Sequence, residues 1–228
     1  MVESKHAKSQ RNSEKINLCA QEQVPAPEVA EGGIVDEKKA LLNRTGQLLT
    51  SNLTSNRGGE TEFIKKALKE EVPFLGVCLG SQLLAKACGA QVTKSPVKEV
   101  GWFKVKLENL AKQDVLFKGF EGEMDVYHWH EDMFAIPQNG VRLATAQGCP
   151  NQAFRVGKHG YGIQFHIEVT EPIITDWCRN YLKSNDPQLQ KKAKDMIETY
   201  RKKKGRFNKT AEKIYRNFEE IILKVRGS

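Results

Sequence analysis

A short apolar run that ends at a cysteine between two glycines constrains this sequence more than any other feature. Residues 74–77 are continuously apolar, as in a strand buried on both faces of a parallel sheet. Cys78 follows directly, with Gly76 and Gly80 on either side in a G-x-C-x-G pattern. A helix is predicted over residues 81–88. The segment therefore predicts a sharp strand-to-helix turn that presents a thiol.

The residue types in this turn are those that a nucleophilic thiol requires. A residue without a Cβ atom at Gly76 or Gly80 lets the strand and the helix approach closely. The helix dipole at Cys78 favours the thiolate form, and the backbone N–H of Leu79 is directed toward a developing oxyanion. The structural alternative is a buried cysteine beside a tight turn.

A second segment supplies a base and a group to orient it. The predicted strand over residues 161–165 leads into His166, and Glu168 follows two residues later. In an extended chain these two side chains lie on the same face. Glu168 can then accept a hydrogen bond from one ring nitrogen and leave the other nitrogen of His166 to take the thiol proton. Two neighbouring parallel strands would bring this pair to the same sheet edge as Cys78.

The pattern along the chain divides it into three regions. Residues 1–60 are polar and weakly periodic, and we expect this region to be atypical and partly disordered. Residues 61–180 alternate between helix and strand, with Thr61 as the expected N-cap of the first helix. Residues 181–228 form a helical extension. The predicted strands after the cysteine are 100–107, 124–127, 141–146, 152–156 and 161–165.

Global properties exclude several classes of function. The formal net charge of +8 over 228 residues fits a lysine-rich surface, and nucleic-acid binding is not expected because no aromatic-interleaved basic motif occurs. No run of about 18 apolar residues and no signal-like N-terminus occurs, so no membrane association is expected. The cysteines are odd in number and form no CxxC pair. We therefore expect a reducing, cytoplasmic setting without a disulfide framework.

A metal site is not expected. His128 and His130 lie in the segment Tyr-His-Trp-His-Glu-Asp, where metal binding is conceivable. No further ligand cluster supports it in the sequence. Accordingly no metal and no cofactor is predicted.

Four ordered motifs resemble those of the class I glutamine amidotransferases. They are GVCLGSQLLAKACGA (76–90), KEVGW (98–102), HWHED (128–132) and GIQFHIEVT (162–170). More narrowly, the chain is similar to stand-alone relatives of the glutaminase part of GMP synthetase. The resemblance covers about residues 60–180.

The resemblance implies a flavodoxin-like three-layer α/β/α fold with a mostly parallel sheet. It also implies hydrolysis of the glutamine side-chain amide by Cys78, through a thioester, with His166 and Glu168 completing the triad. Three further positions match those that hold the substrate glutamine in the family: Gln82, Trp129 and His130. The family's H-P-E motif appears as His-Ile-Glu, which changes no catalytic position.

The first third of the chain departs from the family pattern. The family's first strands and the Gly-Gly loop that gives a second oxyanion donor are not recognisable, although Gly32-Gly33 and Gly58-Gly59 are candidates. We expect either a sheet truncated at its N-terminal strands or an altered N-terminus.

Three functions therefore remain open. The first is a glutaminase that delivers ammonia to a separate synthetase subunit, because the chain has no ATP-binding loop of its own. The second is a γ-glutamyl peptidase, and the third is a catalytically impaired binding or regulatory protein.

Overall fold

The computed structural model describes residues 59–182 and 185–227. The chain divides into two units, residues 1–60 and 61–228, and the description concerns the second unit and the two residues that precede it. The expectations for residues 1–58, including Gly32-Gly33, lie outside the described residues. Among the described residues, no helix is both long and apolar enough to cross a membrane.

Helices and strands alternate in the first half of the described chain and helices end it. The helices are α1 (Gly59–Lys69), α2 (Leu79–Ala87), a 3₁₀ turn (Asn109–Gln113), α3 (Glu171–Tyr181) and α4 (Pro187–Arg226). The strands are β1 (Phe74–Val77), β2 (Val92–Leu107), β3 (Glu123–Phe134), β4 (Gly140–Thr145), β5 (Ala153–Val156) and β6 (Gly160–Ile163).

The six strands form one sheet in the order β1-β6-β5-β4-β2-β3. Within the described residues the sheet is mixed rather than mostly parallel: β1 and β6 pair in parallel, and the other neighbours are antiparallel. The connections explain the difference. The loops that join β4 to β5 and β5 to β6 are too short for a parallel crossover, so these strands must form hairpins. The predicted α/β class is confirmed.

The sheet curls so that its β3 edge approaches the segment after β6. Strand β3 lies at the opposite edge from β1, yet Tyr127 in β3 forms an antiparallel bridge with His166, just after β6. The backbone N–H of His166 donates to the Tyr127 carbonyl oxygen at 2.8 Å. The curl therefore brings the middle of β3 against the segment that follows β6.

The predicted strands are all present, but two are longer than predicted. Strands β2 and β3 extend over 16 and 12 residues and pair along most of their length. A register shift between Lys94 and Glu99 interrupts the pairing, where Pro96 can donate no ladder hydrogen bond. The predicted cap at Thr61 is wrong, because α1 begins at Gly59 and Thr61 lies inside the helix.

Helix α4 is continuous over 40 residues, about 60 Å at 1.5 Å per residue. Gly205 does not interrupt this helix, because lysines favour a helix and a glycine costs only about 1 kcal/mol. The last part of α4 packs an apolar face against the main core. Its buried members in the main core are Ala211, Ile214, Phe218 and Ile221. The earlier half of α4 packs with α3 on a second core beside β2 and β3.

The close approach of β1 and α2 depends on Gly76. A Cβ atom placed there would lie 2.4 Å from the backbone carbon and oxygen of Gly80. A Cβ atom at Gly80 itself would meet nothing within 4 Å. The two glycines of the G-x-C-x-G pattern therefore have different roles, and Gly76 carries the steric requirement.

We expect Gly76→Ala to lower the free energy of unfolding by about 1–3 kcal/mol, because backbone must move to admit the methyl group. Gly80→Ala is the matched control. It should leave the free energy unchanged or raise it by up to about 1 kcal/mol, since alanine favours a helix. Urea unfolding of both variants measures this, and equal losses would contradict the assignment of the steric contact to Gly76.

Candidate active site

Cys78 lies in a strained turn between β1 and α2. Its φ and ψ angles are 49° and −105°. A positive φ of this kind costs a residue with a Cβ atom about 1–3 kcal/mol. The Cys78 N–H donates to the carbonyl oxygen of Ile163 at 2.8 Å, which continues the β1–β6 pairing into the turn. The predicted elbow is therefore present, and the strand beside it is the one that leads to His166.

His166 and Glu168 are in contact, as their spacing predicts. The Nδ1 atom of His166 lies 2.5 Å from Oε1 of Glu168, and Oε2 of the same carboxylate accepts from the Ile167 N–H at 2.9 Å. The Trp177 ring packs edge-on against the imidazole at 4.9 Å between centroids. The Nε2 atom of His166 is buried and has no hydrogen-bond partner within the described residues. This nitrogen is left available for the thiol or a substrate.

Electrostatics favour the charged forms of this pair. Burial acts to lower the pKa of His166, but the Glu168 carboxylate and the Cys78 sulfur outweigh it and raise the pKa well above 6.5. Burial acts to raise the pKa of Glu168, but the imidazolium outweighs it and lowers that pKa. His166 therefore stabilises the fold fully below about pH 6.5, and this contribution is lost as the pH rises through its higher folded pKa.

Two glutamine side chains connect the cysteine to its surroundings. The Nε2 atom of Gln164 donates to the Cys78 sulfur at 3.6 Å. Nε2 of Gln82 donates to Oε1 of Gln164 at 3.2 Å and to the Asp132 carbonyl oxygen at 3.1 Å. Gln82 thus lies near the cysteine, with its amide nitrogen bonded to protein. Gln164 is not among the residues predicted from the sequence, although its place two residues before His166 is a signal for the same face.

The two predicted substrate-binding residues of β3 lie on opposite faces of that strand. The Trp129 carbonyl oxygen is 3.9 Å from the Cys78 sulfur, and its ring packs against those of Trp177 and Tyr181. The His130 ring is buried, and its Nδ1 contacts the Asp132 carbonyl oxygen at 3.0 Å. Trp129 therefore contributes to a wall beside Cys78 and His166, whereas the side chain of His130 belongs to a separate polar cluster.

That cluster also contains a glutamate that the sequence does not connect with it. Glu99 lies opposite His130 in the β2–β3 ladder, and His128 lies on the same face two residues before His130. Atoms from all three side chains lie within 4.8 Å of one another, and all three residues are buried. The expectation that no further ligand accompanies His128 and His130 is therefore wrong, because the third residue comes from a neighbouring strand.

Leu79 begins α2, so its backbone N–H has no partner within the helix. This N–H lies next to Cys78, and it is the group that the sequence predicts as an oxyanion donor. Of the candidates for a second donor, Gly32-Gly33 and Gly58 lie outside the described residues, and Gly59 is the first residue of α1.

Comparison with known proteins agrees with this geometry. The family description "Glutamine amidotransferase class-I" matches residues 34–176. A glutamine amidotransferase-like protein of Salmonella typhimurium, YfeJ, is 30% identical over 165 residues, which cover 72% of this chain and 68% of that protein. One subunit of the glutamine-hydrolysing GMP synthase of Methanobrevibacter smithii is 38% identical over 114 residues, 49% of this chain and 57% of that polypeptide.

Solved structures give the same result. A glutamine amidotransferase from Thermotoga maritima aligns with a TM-score of 0.61 and 29% identity, covering 88% of this chain and 82% of that one. A glutamine amidotransferase from Methylobacillus flagellatus aligns with a TM-score of 0.58 and 28% identity, covering 71% and 68%. The chain belongs to the class I glutamine amidotransferase family, and the flavodoxin-like α/β fold implied by its motifs is confirmed.

We expect Glu168→Gln to lower the pKa of His166 by about 1–3 pH units, because the carboxylate that offsets burial is removed. NMR titration of the imidazole measures the pKa. Glu121→Gln, a change at an exposed carboxylate in a loop, is the control and should leave the titration unchanged. An unchanged His166 pKa in the Glu168 variant would contradict the pairing.

Proposed function

We propose that this protein hydrolyses the side-chain amide of glutamine through a thioester on Cys78 and releases ammonia. The observation that carries the proposal is the arrangement of the strained thiol with a histidine whose Nδ1 is held by Glu168 and whose Nε2 has no partner within the described part of the protein. A nucleophile, a base and an orienting carboxylate are the groups that this chemistry needs.

The reaction proceeds in two halves. His166 takes the thiol proton as the Cys78 sulfur attacks the amide carbon, and the Leu79 N–H donates to the oxyanion. His166 then gives this proton to the amide nitrogen, the C–N bond breaks, ammonia departs and a γ-glutamyl thioester remains. Water attacks the thioester while His166 takes a proton from it, the C–S bond breaks, His166 returns the proton to the sulfur, and glutamate is released.

The raised pKa of His166 suits the first half of this reaction. A protonated imidazole is the acid that the leaving nitrogen requires. The Trp129 ring and the neighbouring indole of Trp177 form an apolar wall beside the imidazole, which limits access of water.

The released ammonia is proposed to serve a separate synthetase subunit. The support is the resemblance to a single polypeptide of a multi-subunit GMP synthase and the absence of a recognisable ATP-binding loop in the sequence. We place the protein in a reducing cytoplasm, in keeping with the free thiols of its four described cysteines.

A γ-glutamyl peptidase is the second candidate, because the same thioester forms from the γ-glutamyl amide of a peptide. Side-by-side assays separate the two: the proposed glutaminase releases ammonia from glutamine faster than it cleaves γ-glutamyl dipeptides. A strong preference for the dipeptides would favour the peptidase. Activity on neither, in a folded protein, would favour a binding or regulatory role.

Labelling with diazo-oxo-norleucine, an electrophilic glutamine mimic, tests the proposal directly. We expect one label per chain at Cys78, and Cys78→Ala should lose both the label and at least about 1000-fold of the activity. Cys88→Ser is the matched control, since Cys88 follows α2 and contacts none of the catalytic residues described above. Labelling that persists in the Cys78 variant would contradict the proposal.

A further inference from the structure

Three ligand atoms converge at one point between β2 and β3. Nε2 of His130 lies 2.9 Å from Oε2 of Glu99 and 3.0 Å from Nδ1 of His128. The third side, from His128 Nδ1 to Glu99 Oε2, measures 3.7 Å. The three side chains are at most 3% exposed.

The size of this triangle matches a transition-metal coordination shell. A circle through three atoms with these separations has a radius of about 1.9 Å. An ion displaced slightly from their plane would therefore lie about 2.0–2.1 Å from each atom, which is the usual Zn–N and Zn–O bond length. Two histidines and one glutamate form a ligand set that zinc sites use.

With Glu99 ionised and both imidazoles neutral, hydrogen bonds among these side chains do not satisfy the cluster. Nδ1 of His130 faces the Asp132 carbonyl oxygen, which only accepts, so this nitrogen carries a proton. In a neutral ring Nε2 of His130 is then a lone pair, and it faces the Glu99 carboxylate, which also only accepts. One proton can form a linear hydrogen bond between only two of the three atoms, whereas a metal cation can coordinate all three.

Burial of the glutamate adds a second requirement. A carboxylate taken out of water needs a positive partner. Within the described part of the chain, no lysine or arginine forms an ion pair with Glu99, and its neutral donor is Nε2 of Gln152 at 3.0 Å. Without a cation or an added proton, an ionised Glu99 therefore has no positive partner among the described side chains.

We propose that Glu99, His128 and His130 bind one divalent transition-metal cation, of which zinc fits best, with water in the remaining position. The outer contacts of the ligands are of the kind that orient metal ligands: His130 donates to a carbonyl oxygen and Glu99 accepts from Gln152.

The proposed ion has a structural role. It lies on the face of β3 opposite Trp129, so it takes no part in the attack on the substrate. It joins β2 to β3. Two carbonyl oxygens of this part of β3 contact the candidate active site: that of Trp129 lies beside the Cys78 sulfur, and that of Asp132 accepts from Gln82. Metal binding would thereby fix the position of β3 against the catalytic cysteine.

The alternative is one added proton between His130 and Glu99. As an imidazolium, His130 would donate from Nε2 to the Glu99 carboxylate; as a carboxylic acid, Glu99 would donate to Nε2 of His130, and neither form needs an ion. This alternative predicts a protein that neither contains nor takes up metal at these residues.

Elemental analysis of the full chain, purified without a metal-affinity tag, tests the proposal. We expect about one zinc ion per chain. After removal of the metal, zinc added at about 100 times its dissociation constant should raise the melting temperature by roughly 5–10 °C, and magnesium should not. Cobalt substitution should give visible d–d absorption without a thiolate charge-transfer band, since no cysteine is a ligand.

Variants separate this site from other metal-binding groups. Glu99→Gln and His128→Asn should each remove the metal and the thermal shift, while His159→Asn should retain both. Cys78→Ser should also retain the metal, which distinguishes the cluster from binding at the catalytic thiol. A metal-free protein that gains no stability from zinc, or metal that is lost only in the Cys78 variant, would overturn the proposal.

Discussion

The parallel pairing of β1 with β6 is the constraint on which the rest of the site depends. It aligns Val77 with Ile163, and the hydrogen bond from the Cys78 N–H to the Ile163 carbonyl oxygen extends the pairing into the turn. Both strands end at the same edge, so the thiol and the segment that carries His166 are adjacent although they are remote in sequence. The close approach of Gly76 to Gly80 lets β1 and α2 pack closely on either side of the cysteine.

The antiparallel strands supply the remaining side of the site that the parallel pair β1–β6 carries. The curl brings Tyr127 to the backbone of His166, and this contact places β3 beside the turn that carries Cys78. Because successive side chains of a strand alternate, β3 offers an aromatic residue, Trp129, to one side and two histidines to the other. One strand therefore contacts the Cys78–His166 site through its backbone and Trp129, and the Glu99 cluster through its imidazoles.

Local sequence patterns are sufficient to predict the elbow and the histidine–glutamate pair, because both depend on neighbours within a few residues. The G-x-C-x-G spacing predicts the turn at Cys78, and the two-residue spacing of His166 and Glu168 predicts that their side chains lie on one face. The antiparallel sheet order and the meeting of Glu99 with His130 depend on register between strands, which periodicity does not encode. Gln164 is missed for the same reason, since its partner is the distant Cys78 rather than a neighbour.

The pairing of β1 with β6 also has a consequence for how the protein acquires its chemistry. The strand before Cys78 pairs with residues more than 80 positions later, and the contact between Gln164 and the cysteine spans 86 positions. Contacts of such long sequence separation form slowly, because a large loop must close before they are gained. During synthesis the cysteine is exposed before its histidine has been made. Acquisition of a paired, protonated histidine would therefore mark the completion of folding, and an incompletely folded chain would carry an unassisted thiol.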